Sequence, residues 1–123
     1  MDTSREIVVL GASVNTDRYS NMALRNLFEA GFTVYPVNPA HQSIEGKKAY
    51  PGLSDVPRPI HTVTVYVGPG RLADLMEDLI SLHPERVILN PGAGSPEQAK
   101  KIRAAGIEVV EACTLVMLST GQF

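Results

Sequence analysis

Apolar positions along the chain alternate between two spacings. Residues 7–10 (IVVL) are apolar at every position, which is typical of a strand covered on both faces of a parallel sheet. Further along, residues 72, 75, 76, 79 and 80 are apolar at the i, i+3, i+4, i+7, i+8 spacing of an amphipathic helix. The pattern therefore predicts strands and helices that follow one another in turn.

Turn and cap residues divide the chain into these elements. We predict strands at residues 7–10, 33–37, 48–50, 62–67, 86–89 and 107–110, with a single helical turn at residues 53–56. Helices are predicted from residue 20 to a stop at Gly31, over residues 72–80, from a capping box of Ser95 and Gln98 to Ala105, and as a final turn at 114–118.

Regular alternation of strand and helix predicts an α/β fold with a doubly wound parallel sheet, Rossmann-like, in three α/β/α layers. Right-handed crossovers give the strand order 3-2-1-4-5-6. With 123 residues and no linker or repeat, the chain is expected to form a single domain, residues 1–123.

Composition and charge exclude several classes of protein. Cys113 is the single cysteine, so a disulfide scaffold is excluded, and 11 basic against 13 acidic side chains do not suit a nucleic-acid partner. No apolar run approaches the roughly 20 residues of a membrane span, and the first residues lack the features of a signal peptide. We therefore expect a cytoplasmic protein with no membrane partner.

In a sheet of this kind, ligands bind beyond the carboxyl ends of the strands, where the strand order reverses. The first strand is followed by Gly11, Ala12 and Ser13, and then by Arg18 and Tyr19 at the start of a helix. A tight turn, a hydroxyl, a helix start and a guanidinium predict a phosphate site. The alternative is a plain turn, because the full G-x-G-x-x-G pattern is absent.

The loops after the other strands complete this edge. Val37, Asn38 and Pro39 follow the second strand, and the neutral Asn38 stands where an NAD site usually has an acidic residue, which disfavours NAD without excluding it. Small-residue loops that would widen the site contain Val67 and Gly68 after one strand, and Asn90, Pro91 and Gly92 after another. Each of these loops is also compatible with an ordinary turn.

Reactive side chains are few and scattered. His41, His61 and His83 have no metal-site spacing, and no histidine neighbours Cys113 in sequence. We find no nucleophile beside a base, and therefore expect a site that binds a ligand without reacting. Thiol exchange between Cys113 and a thiol cofactor is a minor alternative.

Several short motifs together resemble a known family. The chain resembles the small CoA-binding proteins related to the amino-terminal CoA-binding domain of the succinyl-CoA synthetase α subunit. The resemblance is carried by residues 9–13 (VLGAS), 35–39 (YPVNP), 46–50 (GKKAY), 53–57 (LSDVP) and Cys113. It implies a Rossmann-like fold that holds CoA at the switch point.

The resemblance also implies roles for individual residues. Gly11, Ser13 and Arg18 would face phosphate, and residues 37–39 would lie along the ribose and adenine. The chain departs from the family at Ala40 and His41, where a lysine that meets phosphate is common. The catalytic histidine of the synthetase lies in a domain that this sequence does not contain.

Three functions follow as hypotheses. The first is a non-catalytic module that binds CoA or an acyl-CoA, and the second is a module for another nucleotide such as NAD. The third is an interaction protein with a vestigial site, in which the apolar residues 115–118 (LVML) meet a partner protein or a second copy, although closing the protein's own core is the simpler use for them.

Overall fold

A central five-stranded parallel sheet organises the computed structural model, which describes all residues 1–123. Its strands are β1 (Glu6–Leu10), β2 (Thr33–Val37), β5 (Thr62–Val65), β6 (Arg86–Leu89) and β7 (Glu108–Glu111), in the order β2-β1-β5-β6-β7. The helices are α1 (Tyr19–Glu29), α2 (Pro69–Leu82), α3 (Pro96–Ala104) and α4 (Thr114–Ser119). A 3-10 turn covers Leu53–Asp55, and β3 (Ser43–Ile44) forms a short antiparallel hairpin with β4 (Lys47–Lys48).

The predicted doubly wound fold and its strand order are confirmed. The third strand position, outside β2, is held by one residue: Tyr50 makes a single parallel bridge with Val37. The Tyr50 amide donates to the Pro36 carbonyl at 2.9 Å, and the Asn38 amide donates to the Tyr50 carbonyl at 3.0 Å. Lys48, predicted to lie in this strand, is instead paired with Ser43 in the hairpin.

Buried side chains form one cluster on each face of the sheet. Val8 and Leu10 of β1 belong to a cluster shared with α2, α3 and the 3-10 turn. Ile7 and Val9 belong to the opposite cluster, shared with α1, α4 and the short hairpin. Successive residues of a strand point to opposite faces, so a strand covered on both sides must be apolar throughout. This confirms the three-layer α/β/α arrangement.

Helix starts set the geometry of the sheet edge. Ser95 caps α3 by accepting a hydrogen bond from the Gln98 amide at 3.2 Å. The reciprocal half of the predicted capping box does not form, since Gln98 Oε1 accepts no hydrogen bond. Gln98 Nε2 donates to the Pro69 carbonyl at 2.8 Å and so ties α3 to the start of α2. None of the helices is both long enough and apolar enough to cross a membrane.

Candidate functional site

The strand order reverses between β1 and β5, and the turn after β1 lies at this point. Gly11 has φ +86°, and a Cβ built there would lie 2.8 Å from the Val67 side chain. Both the conformation and the contact require glycine. The Gly11 and Ala12 amides each donate to the Val37 carbonyl at 3.2 Å, which fixes the turn against β2.

The larger of two adjoining clefts opens beside this turn. It has a volume of about 430 Å³ and contains seven predicted site residues, with three residues that the prediction did not include. The predicted ones are Gly11, Ala12, Ser13, Arg18, Tyr19, Asn38 and Pro91. The additional ones are Ser20, Tyr66 and Arg71.

Unpaired donors occur among the residues that line the larger cleft. The backbone amides of Ser13 and Tyr19 donate to no acceptor within the protein. For Tyr19 the reason is its place in the first turn of α1, whose first hydrogen bond runs from the Met22 amide to the Arg18 carbonyl. Arg18 precedes the helix with an extended backbone, and its exposed guanidinium makes no hydrogen bond or ion pair in the protein. The first turn of α1 carries no acidic residue of its own, while Asp17 directly precedes the N-cap residue and the Glu45 carboxylate accepts from Asn21 Nδ2 at 3.2 Å.

The smaller cleft is mainly apolar. It has a volume of about 180 Å³ and adjoins the larger one at Gly11 and Arg71, the two residues that line both. Its apolar wall includes the predicted residues Val37, Pro39 and Val67. The remaining lining residues are Leu10, Pro51, Gly52, Leu53, Asp74 and Leu75. A flat apolar group suits such a wall.

Asn38 contributes to the larger cleft chiefly by shaping its loops. Its side-chain amide donates to the Ala12 carbonyl at 2.8 Å, and its side-chain oxygen accepts from the Ala40 amide at 2.7 Å. The residue thus joins the turn after β1 to the turn after β2. Its side chain is bonded to backbone on both sides.

The three predicted residues after β6, Asn90, Pro91 and Gly92, share a shallow depression, and one of them, Pro91, also lines the larger cleft. Asn90 is buried, donates to Thr64 Oγ1 at 2.7 Å and to the Val65 carbonyl at 2.9 Å, and accepts from the Thr114 amide at 2.9 Å. Gly68 lies just before α2 and lines none of these regions.

Tyr66 is the least expected residue of the larger cleft. Its hydroxyl is buried and makes no hydrogen bond of good geometry in the protein, although the Thr64 and Thr114 hydroxyls are close enough to interact with it. Burial raises the pKa of Tyr66 to about 12, against the opposing influence of the neighbouring Thr114 and Thr64 hydroxyls. The phenol therefore stays protonated at neutral pH.

Arg71 is the main residue that the sequence reasoning missed. It lies in the first turn of α2, three residues beyond Gly68, where a helix that follows a strand begins at the carboxyl edge of the sheet. Attention to the first turn of every helix, in addition to the loops, would have found it.

The histidines and the cysteine, for which the sequence indicates no catalytic role, lie outside the two clefts. His61 contacts Thr62 Oγ1 at 2.7 Å, and His83 contacts the Ala105 carbonyl at 3.0 Å through Nε2. Cys113 is half-buried at the start of α4. Nowhere do three or more His, Cys, Asp or Glu side chains come together as metal ligands.

Comparisons with known proteins identify a family through one family model and support the fold through solved structures. The family model for a CoA binding domain matches residues 5–119. The uncharacterized protein YneT of Bacillus subtilis (strain 168) is 26% identical over 110 residues, which are 89% of this chain and 82% of YneT. The structure of cell-free ID.343 from Thermus thermophilus superposes with a TM-score of 0.87 at 34% identity, covering 98% of this chain and 91% of that one.

A larger enzyme contains the same fold. The dinucleotide-forming acetyl-coenzyme A synthetase 1 of Ca. Korarchaeum cryptofilum superposes with a TM-score of 0.76 at 24% identity. The match covers 87% of this chain but 26% of the synthetase chain. At this identity the likeness concerns the fold alone.

Proposed function

This chain belongs to the family of CoA-binding domains, and from that premise we propose that it binds CoA or an acyl-CoA at the switch point, as a module that does not itself react. CoA combines an adenine, a ribose with a 3′-phosphate, a diphosphate and a long pantetheine chain. A polar cleft that adjoins an apolar one is complementary to this ligand, in which the adenine is joined through the ribose to charged phosphates.

One observation carries the proposal: residues with unpaired cationic and N–H donors line the larger cleft, which adjoins an apolar wall. Arg18 and the free amides of Ser13 and Tyr19 supply charge-assisted and neutral donors for the diphosphate. Val37 and Val67 in the smaller cleft supply the wall for the adenine. The proposal that no reaction takes place rests on the sequence, in which no nucleophile stands beside a base.

The test is a calorimetric titration of ligand-stripped protein with CoA, with NAD titrated in parallel. We expect micromolar binding of CoA and no comparable response to NAD. Absence of a binding signal at millimolar CoA would contradict the proposal. A preference for NAD would support the second hypothesis, a module for another nucleotide. Absence of binding for both ligands would favour the interaction hypothesis.

A pair of variants connects binding to the larger cleft. Arg18→Ala removes a charged donor, which we expect to weaken CoA binding by about one to two decades. Arg58→Ala is the matched control, because Arg58 is exposed and lies outside both clefts. Equal affinities of the two variants would place CoA somewhere other than the larger cleft.

A further inference from the structure

Arg71 occupies the junction of the two clefts and has no partner of its own. Its guanidinium makes no hydrogen bond within the protein, and neither of the two ion pairs, His61–Glu85 and Arg103–Glu111, involves it. The side chain is exposed, and Arg71 and Gly11 are the two residues common to both clefts. A free guanidinium at this junction is available to a ligand.

The position of Arg71 in its helix does not favour the stability of the folded protein. It lies in the first turn of α2, where the positive end of the helix dipole disfavours a cation, and no acidic residue in that turn offsets it. Arg71 and Arg18 are the two basic residues that line the clefts. Lysines of the short hairpin are engaged elsewhere: Lys47 lies over Phe28 at 5.2 Å and Lys48 over Tyr50 at 5.0 Å.

The order of chemical groups in CoA matches the order of the two clefts. Its ribose joins the adenine to the diphosphate and carries the 3′-phosphate as a branch. With the adenine in the smaller cleft and the diphosphate beside Arg18, the ribose and its branch lie at the junction. The two clefts contain one carboxylate, Asp74, which lines only the smaller cleft. The basic residue at the junction is Arg71.

We propose, resting on the proposed function, that Arg71 binds the 3′-phosphate of CoA and thereby selects CoA over nucleotides whose ribose lacks that group. A guanidinium presents paired donors to two phosphate oxygens, so the contact is both charged and directional. Arg71 is thus a specificity-determining residue, and Arg18 serves the diphosphate.

The experiment compares CoA with 3′-dephospho-CoA by calorimetry on the full chain and on three variants. For the unsubstituted protein we expect at least a tenfold preference for CoA. Arg71→Gln is expected to remove that preference by weakening CoA, while the affinity for 3′-dephospho-CoA stays within about twofold. Arg71→Lys keeps the charge without the paired donors and is expected to retain part of the preference. Arg58→Gln, outside both clefts, is expected to retain all of it.

Each other outcome has a distinct meaning. A preference that persists in Arg71→Gln overturns the inference, as does an equal loss for both ligands, which would assign Arg71 to the diphosphate. Equal binding of both ligands by the unsubstituted protein overturns the inference and leaves the proposed function in place. Binding of neither ligand by that protein defeats the proposed function itself.

Discussion

Three side chains at this sheet edge illustrate the two outcomes for a polar group, which either forms hydrogen bonds within the protein or forms none. Asn38 hydrogen-bonds through its side chain to the backbone of Ala12 and Ala40. Asn90 does the same with the end of β5 and the start of α4. The Tyr66 hydroxyl makes no hydrogen bond of good geometry although it is buried. A buried hydroxyl without a hydrogen bond costs about 1–3 kcal/mol of folding free energy.

We therefore expect Tyr66→Phe to stabilise the ligand-free protein by about 1 kcal/mol at pH 8. The pKa of Tyr66 is about 12 in the folded protein and near 10 in an unfolded chain, so the unfolded state loses this proton first as the pH rises. Stability contributed by the protonated phenol is complete below pH 10 and is lost between pH 10 and 12. The advantage of the variant should therefore widen above pH 10.

Urea denaturation at pH 8 and at pH 10.5 measures both effects. Tyr19→Phe is the control, because the Tyr19 side chain is 71% exposed and its replacement should change stability by less than about 0.5 kcal/mol. If Tyr66→Phe instead lost more than about 1 kcal/mol at pH 8, the hydroxyl would have to be bonded in solution.

Among the elements, α4 and the residues after it close the face of the sheet that α1 covers. Met117 is buried in that cluster, whereas Val116 is 55% exposed. Phe123 follows the helix and packs edge-on against Phe32 with ring centroids 5.2 Å apart. Arg86 places its guanidinium 4.7 Å from the Phe123 ring and donates to the Phe123 carbonyl at 2.9 Å.

Because Phe123 covers both an aromatic ring and a buried guanidinium, we expect Phe123→Ala to destabilise the fold by about 3 kcal/mol. Phe123→Leu should recover part of this loss by refilling the volume. The midpoint of urea denaturation gives the comparison, with Gln122→Ala as a control at an exposed neighbour. A loss below about 1 kcal/mol for Phe123→Ala would show that this segment detaches in solution.

For the whole molecule, the two buried clusters share one sheet, so a single cooperative unit is expected. A ligand that binds the folded state alone stabilises it by about 2.7 kcal/mol at one hundred times its Kd. For a domain of this size we expect CoA at that excess to raise the Tm by about 10 °C, in one transition.

Scanning calorimetry with and without CoA provides this measurement, and NAD at the same concentration is the control. Two separate transitions would contradict a single domain. An unchanged Tm at saturating CoA would contradict binding to the folded state.

The fold could be predicted from the sequence because the patterns that indicate its strands and helices are local. Consecutive apolar residues such as Ile7 and Val9 mark a strand covered on both faces, and the Ser95 cap marks the start of α3. Strand order then follows from the handedness of the crossovers. The length of the edge strand was harder to predict, because Lys47 and Lys48 pair with β3 in a hairpin and leave Tyr50 to bridge Val37.

The sequence by itself determined the five strands of the main sheet, the four helices, their order and the edge of the sheet at which we propose that a ligand binds. Tertiary structure alone decided which polar groups at that edge remain free. Asn38 bonds to Ala12, and Asn90 to Thr64, each across 26 residues of sequence. Arg71, by contrast, reaches the junction of two clefts without a partner. A local sequence pattern does not indicate which distant segments will be joined by hydrogen bonds. Those bonds determine which side chains shape the clefts and which remain available to a ligand.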